Sequence, residues 1–103
     1  MYVEKYLDIS TAHVSEQDMK TMALDPDTVS VYYYKRRSWE GAFIHVSWDS
    51  IDNDPEYRQR LLDAGFSEEF VNIIWAARNL GCTFIRIDSD GPIYDEFPEF
   101  DWE

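Results

Sequence analysis

The chain reads as an α+β domain: a mostly antiparallel sheet of four or five strands packed against two or three helices, in the order β-α-β-β-α-α-β, with a last short strand optional. Three observations predict it. Apolar and polar residues alternate with a period of two near both ends of the chain. A stripe at helical spacing, Phe70, Ile73, Ile74, Ala77 and Leu80, lies between those ends. Clusters of Gly, Pro, Asp and Asn punctuate the periodic segments at short intervals, with no repeat, linker or low-complexity tract. At 103 residues the chain has the size of one core, so 1–103 is expected to be a single domain.

From Tyr2 to Ile9 the alternation sets Val3, Leu7 and Ile9 against Tyr2, Glu4, Tyr6 and Asp8, a half-buried strand. Ser15 can cap a short helix with Glu16 and Asp18 in its first turn, where negative charge suits the helix dipole, and with Met19, Met22 and Ala23 on its apolar face. Asp25-Pro26-Asp27 ends it. Val29 to Lys35 is β-branched and aromatic, and Ala42 to Trp48 sets Ile44, Val46 and Trp48 against Phe43, His45 and Ser47. The pair predicts a hairpin turning around Arg36 to Gly41. Asp54 with Pro55 after it predicts the start of a second helix, stopped by Gly65. Ser67 caps the third, which carries the helical stripe as far as Gly81. Cys82 to Asp88 reads as a further strand with Ile85 and Ile87 on one face, and Asp90-Gly91-Pro92 is turn chemistry leading to Ile93 and Tyr94.

Charge separates the function classes. With 21 acidic and 9 basic residues the formal net charge is -12. A phosphate surface repels such a chain, which disfavours direct binding to DNA, RNA or an anionic membrane and favours a basic protein partner. The plainer consequence of the same acidity is solubility. Apolar runs are short and broken, and Glu4 and Asp8 stand where a signal peptide would be basic and then apolar, so neither secretion nor membrane insertion is expected. Cys82 is the one cysteine. It can form no internal disulfide and no thiolate metal set, which fits a reducing cytoplasm.

The segment from Asp88 to Glu103 holds seven carboxylates and no Lys or Arg, interleaved with Tyr94, Phe97, Phe100 and Trp102. Spaced negative charge with aromatic anchors can occupy a basic groove, so Asp95, Glu96, Glu99, Phe100, Asp101 and Trp102 are the candidate partner-binding residues. On the simpler reading the rings pack on the sheet and the acids are merely solvated. A second acidic cluster, Asp49, Asp52, Asp54 and Glu56, together with Glu68 and Glu69, would extend a negative face if the loops share one side.

An alternative site is His13 with Asp88 and Asp90. If their strands are parallel neighbours, these residues meet at one sheet edge, where a His-Asp pair can exchange protons or hold a divalent metal. The simpler reading gives His13 a hydrogen bond in the adjacent turn and gives the two aspartates a role in shaping theirs. Asp88-Ser89-Asp90-Gly91 opens like a calcium loop, but Pro92 and Ile93 stand where a ligand and a glycine are required. Cys82 lacks the electropositive setting of a nucleophile, and Lys35-Arg36-Arg37 is a basic hairpin tip. With no phosphate-binding loop, zinc set or nucleophile elbow, no catalytic residue and no cofactor is predicted.

Ile9-Ser10-Thr11-Ala12-His13 and the late Asp88-Ser89-Asp90-Gly91-Pro92, with Leu80-Gly81-Cys82, Ile85-Arg86 and Phe100-Asp101-Trp102, carry a resemblance over nearly the whole chain. The sequence resembles a small family of uncharacterised bacterial proteins, a domain of unknown function often associated with plasmids, phages and integrated elements. The resemblance implies that genetic setting and no activity. Small acidic proteins of mobile elements often block host defence by filling the nucleic-acid groove of a nuclease or effector complex. The expectation is therefore a non-enzymatic interaction module, for instance an anti-CRISPR or antirestriction inhibitor acting as a nucleic-acid mimic. The alternatives are a small metal-binding or hydrolytic domain on His13, Asp88 and Asp90, and a regulatory or structural subunit.

Overall fold

A computed structural model describes residues 3–24, 29–36 and 39–100. Strand β1 (Tyr6–Ser10) is followed by a single 3-10 turn (Thr11–His13) and helix α1 (Glu16–Leu24). Strands β2 (Val31–Arg36) and β3 (Trp39–His45) come next, then helices α2 (Trp48–Asn53), α3 (Tyr57–Ala64) and α4 (Glu68–Asn79), and finally β4 (Phe84–Asp88). The sheet order is β1-β4-β3-β2, and β4 is parallel to β1 and antiparallel to β3. This is the α+β architecture expected, with a mixed four-stranded sheet. No helix among the described residues is long and apolar enough to cross a membrane.

Register decides which side chains share a face. Leu7 lies opposite Ile85 and Ile9 opposite Ile87, while Ile87 and Ile85 face Ala42 and Ile44 across the next ladder. All six are buried, and the α4 residues Phe70, Val71, Ile73, Ile74 and Ala77 close over this side with Leu61 and Met22. Burying that apolar stripe is what makes α4 the principal core helix. Its start is the predicted Ser67 cap, whose Oγ accepts from the Phe70 N–H at 3.2 Å. Gly65 ends α3 at φ 112°, a left-handed value that an L side chain resists.

Several boundaries move. Val3 is 75% exposed and precedes β1, because the five-residue ladder with β4 begins only at Tyr6. Leu80 is 57% exposed: α4 stops at Asn79, and the C-terminal turn swings this last stripe residue outward. In α1, Met22 is buried as expected, but Ala23 is exposed and Asp18 and Thr21 face inward instead. An additional helix, α2, occupies what reads as loop. Ser47 caps it by accepting from the Ser50 N–H, and Trp48 begins it where the alternation would have continued the strand. Asp54 still works at the next helix start, accepting from the Glu56 N–H at 3.0 Å, but α3 itself begins at Tyr57. Asp25-Pro26-Asp27 and Arg37 lie outside the described residues.

After β4 the chain forms no further strand among the described residues. Residues 89–100 run back as a strap beside β1 and the 3-10 turn. The Ser10 N–H donates to the Pro92 carbonyl at 2.9 Å, and the Phe100 N–H donates to the Ala12 carbonyl at 2.8 Å. The Tyr94 hydroxyl donates to the Asp8 carbonyl at 2.9 Å.

Candidate functional site

His13 holds the strap. Its ring is fully buried, accepts the Tyr94 N–H at Nε2 (2.8 Å) and meets the Pro98 carbonyl from Nδ1 at 2.9 Å. One ring nitrogen accepting and the other donating assigns the proton to Nδ1. The ring stacks on Tyr94 and meets Phe97 edge-on at 5.5 Å between centroids. Ser10, whose Oγ accepts from the Ala12 N–H, sets the turn that points His13 inward.

The turn at the other end of the strap is equally specific. Asp88 is buried. One of its oxygens accepts the Asp90 N–H at 2.8 Å and the other accepts from Arg86 at 3.1 Å. The Gly91 N–H closes the turn onto the Asp88 carbonyl, and Gly91 lies so close over β1 that a Cβ there would sit 2.3 Å from the Ile9 carbonyl oxygen. Only glycine fits such an approach.

The two motifs singled out in the sequence therefore meet. The parallel pairing of β1 with β4 places Ser10 opposite Asp88 and brings His13 and the Asp88 turn to one end of the sheet. There they fasten the strap: both His13 nitrogens meet its backbone, while Asp88 takes the Asp90 N–H of the strap's turn on one oxygen and Arg86 of β4 on the other. Asp90 is exposed. Among the described residues no three His, Cys, Asp or Glu side chains come together as a metal would require.

The strap carries four of the six candidate partner-binding residues. Asp95, Glu96 and Glu99 are exposed on the strap, whereas Phe100 is half-buried, and Tyr94 and Phe97 are half-buried against the core. Asp101 and Trp102 lie outside the described residues. Between the strap and α4 runs an apolar groove of about 520 Å³, floored by Leu7, Ala76 and Leu80, walled by Tyr94 and Phe97, and bordered by Glu96.

The second acidic cluster differs in character. Asp52 takes a two-pronged hydrogen bond from Arg78, which also stacks 4.1 Å over the Trp48 ring. Arg60 pairs with Asp54 and lies over Tyr57, and Arg58 reaches Glu68 at 3.8 Å while covering Trp75. Arg78 holds the Asp52 carboxyl below the ordinary carboxylate range, and Arg60, helped by the Glu56 N–H, does the same for Asp54. These acids staple the helices to one another. By contrast Asp90, Asp95, Glu96 and Glu99 form no ion pair among the described residues.

A joint with no counterpart in the sequence reading sits at Asp18. Its carboxylate, only 1% exposed, accepts from the Ser67 N–H at 2.7 Å, from the Ser67 hydroxyl and from the Ser15 hydroxyl. It thereby ties the start of α1 to the start of α4. The Ser15-x-x-Asp18 spacing, a capping-box pattern with Asp at the third position, is the local signal that could have found half of it.

No curated protein and no solved structure matches the chain. A family model, described as the C-terminal domain of a family of unknown function (DUF5983), matches residues 6–102, from the first residue of β1 to beyond the described end of the strap. With its sheet, helices and strap all inside that match, the chain belongs to the DUF5983 family.

Proposed function

We propose that this chain is a protein–protein interaction module that presents the strap carboxylates to a basic, nucleic-acid-binding surface of a partner and inhibits it by occupancy. Anti-defence proteins of plasmids and phages, such as anti-CRISPR and antirestriction inhibitors, are the functional class this reading selects. The observation that carries it is the contrast in how the acids are used. Asp52, Asp54 and Glu68 are matched by arginines of the helices, while Asp90, Asp95, Glu96 and Glu99 form no ion pair among the described residues and are held on a backbone fastened at Ser10, Ala12 and His13. A backbone already fastened needs no further ordering on binding, which favours recognition. Long-range attraction from a chain of net charge -12 speeds encounter with a cationic groove.

The test is affinity capture of the tagged chain from host lysate at low and high salt, beside the triple variant Asp95→Lys, Glu96→Lys, Glu99→Lys. The expected partner is a nucleic-acid-handling protein that salt releases, that duplex DNA displaces and that the variant fails to capture. Recovery of the same partner by the folded triple variant sinks the proposal.

A further inference from the structure

The helices cover one face of the sheet, and no other element among the described residues covers the second. Register places Tyr6 and Asp8 of β1, Phe84 and Arg86 of β4, Phe43 and His45 of β3 and Tyr32 of β2 on that second face. Tyr6 is 51% exposed and Tyr32 62%, and it is their joining into a contiguous patch, more than the exposure of either ring, that marks a contact surface. The rings form one continuous platform. Tyr6 meets Phe43 edge-on at 5.8 Å between centroids, Phe43 meets Phe84 at 6.4 Å, and His45 meets Phe84 at 5.5 Å. Tyr32, Phe43 and Phe84 line a shallow hollow of about 360 Å³.

The charge of the whole chain selects the occupant of this platform. Arg86 lies between Asp8 at 3.4 Å and Asp88 at 3.1 Å, directly across from Phe43 in the ladder. Asp8 Oδ1, shielded from solvent, has no hydrogen-bond partner among the described residues. An aromatic platform suits a nucleobase or a cation alike, but a polynucleotide must bring its phosphates up to a chain of net charge -12. A cation gains from the ring faces and from the surrounding field together. We infer that this sheet face is a second contact surface, on which the Tyr32, Phe43 and Phe84 hollow takes an arginine side chain of a basic protein segment. The choice of a cationic occupant rests on the proposed reading of this chain as a binder of basic partners; the location on the sheet does not.

The probe is a blocked hexa-arginine peptide, titrated into the full chain by calorimetry and by amide chemical-shift mapping. The expected result is saturable binding with shifts centred on Tyr32, Phe43 and Phe84, weakened about tenfold by Tyr32→Ala or Phe84→Leu. Because the mapping is done on the wild-type chain, it decides the matter even if Phe84→Leu disturbs the fold. If the strap triple variant binds the peptide normally while Tyr32→Ala does not, the sheet-face inference stands and the strap reading fails. Shifts confined to the strap, with loss only in the triple variant, overturn the inference and leave the strap reading intact. Absence of peptide binding overturns it as well. So does preferential binding of single-stranded oligouridylate to the same rings, or a dimer in sedimentation that buries them.

Discussion

Replacing His13 by alanine tests whether the strap is fastened as described. Two backbone groups, the Tyr94 N–H and the Pro98 carbonyl, lose their partner, and each costs about 1–3 kcal/mol if it stays shielded from water. Deleting a fully buried ring in contact with Tyr94 and Phe97 adds on the order of 2 kcal/mol. The strap can instead lift and rehydrate those groups, which limits the loss to the free energy of its docking, about 3–4 kcal/mol. That is a large part of the 5–15 kcal/mol typical of a domain, on the scale of roughly 0.1 kcal/mol per residue. Gly91→Ala attacks the same contact from the other end, since its Cβ would meet the Ile9 carbonyl oxygen at 2.3 Å, and costs roughly 1–3 kcal/mol. If lifting the strap is the common outcome, the two substitutions are not additive: the double variant loses at least about 1 kcal/mol less than the sum. Urea denaturation supplies the energies, and hydrogen exchange at the Tyr94 and Phe100 amides reports the strap. Additive losses, or unchanged exchange at those amides in His13→Ala, would refute the reasoning.

Two further predictions concern the joints between helices. Asp18→Asn replaces a buried carboxylate that accepts from the Ser67 N–H and two hydroxyls, and is expected to destabilise the chain by about 2–3 kcal/mol in urea; a loss under about 0.5 kcal/mol would remove Asp18 from the structural account. Arg78 lowers the folded-state pKa of Asp52, so this pair contributes stability above the unfolded carboxylate pKa and loses it as pH falls through the folded value. Asp52→Asn should therefore melt closer to wild type at pH 3 than at pH 7, with a small difference throughout because the pair is exposed; equal differences at both pH values would contradict the pairing.

The class of the fold was legible because it rests on periodicity. The alternation around Leu7 and Ile9 and around Ile85 and Ile87, and the stripe of α4, are direct images of burial on one side of an element. Caps at Ser67 and Gly65 were legible for the same local reason. What was not legible depends on contacts between distant residues. Asp18 looks like a dipole-favoured surface acid until Ser67, far along the chain, is placed against it. His13 and Asp88 are expected at one sheet edge if their strands are parallel neighbours, as β1 and β4 are, but spacing alone does not reveal that both His13 nitrogens meet the strap backbone and that Asp88 takes the Asp90 N–H and Arg86. Between Asp90 and Glu99 the acidic segment likewise divides only in three dimensions into the rings of Tyr94 and Phe97, which pack on the core, and the carboxylates of Asp90, Asp95, Glu96 and Glu99, which face solvent. Short α2 escaped because six residues with no buried side chain leave no periodic trace.

The strap also alters what the sheet can do as a polymerising surface. Along β1 it occupies the Ser10 N–H and the Asp8 carbonyl, the outward groups that a foreign strand would seek, while β2 at the opposite end has no second strand beside it among the described residues. A sheet that is adhesive at both edges can propagate without limit, whereas one that is adhesive at a single edge can join only once. Edge pairing in this protein would therefore terminate at two copies, and release of the strap would turn a self-limiting contact into one that can grow.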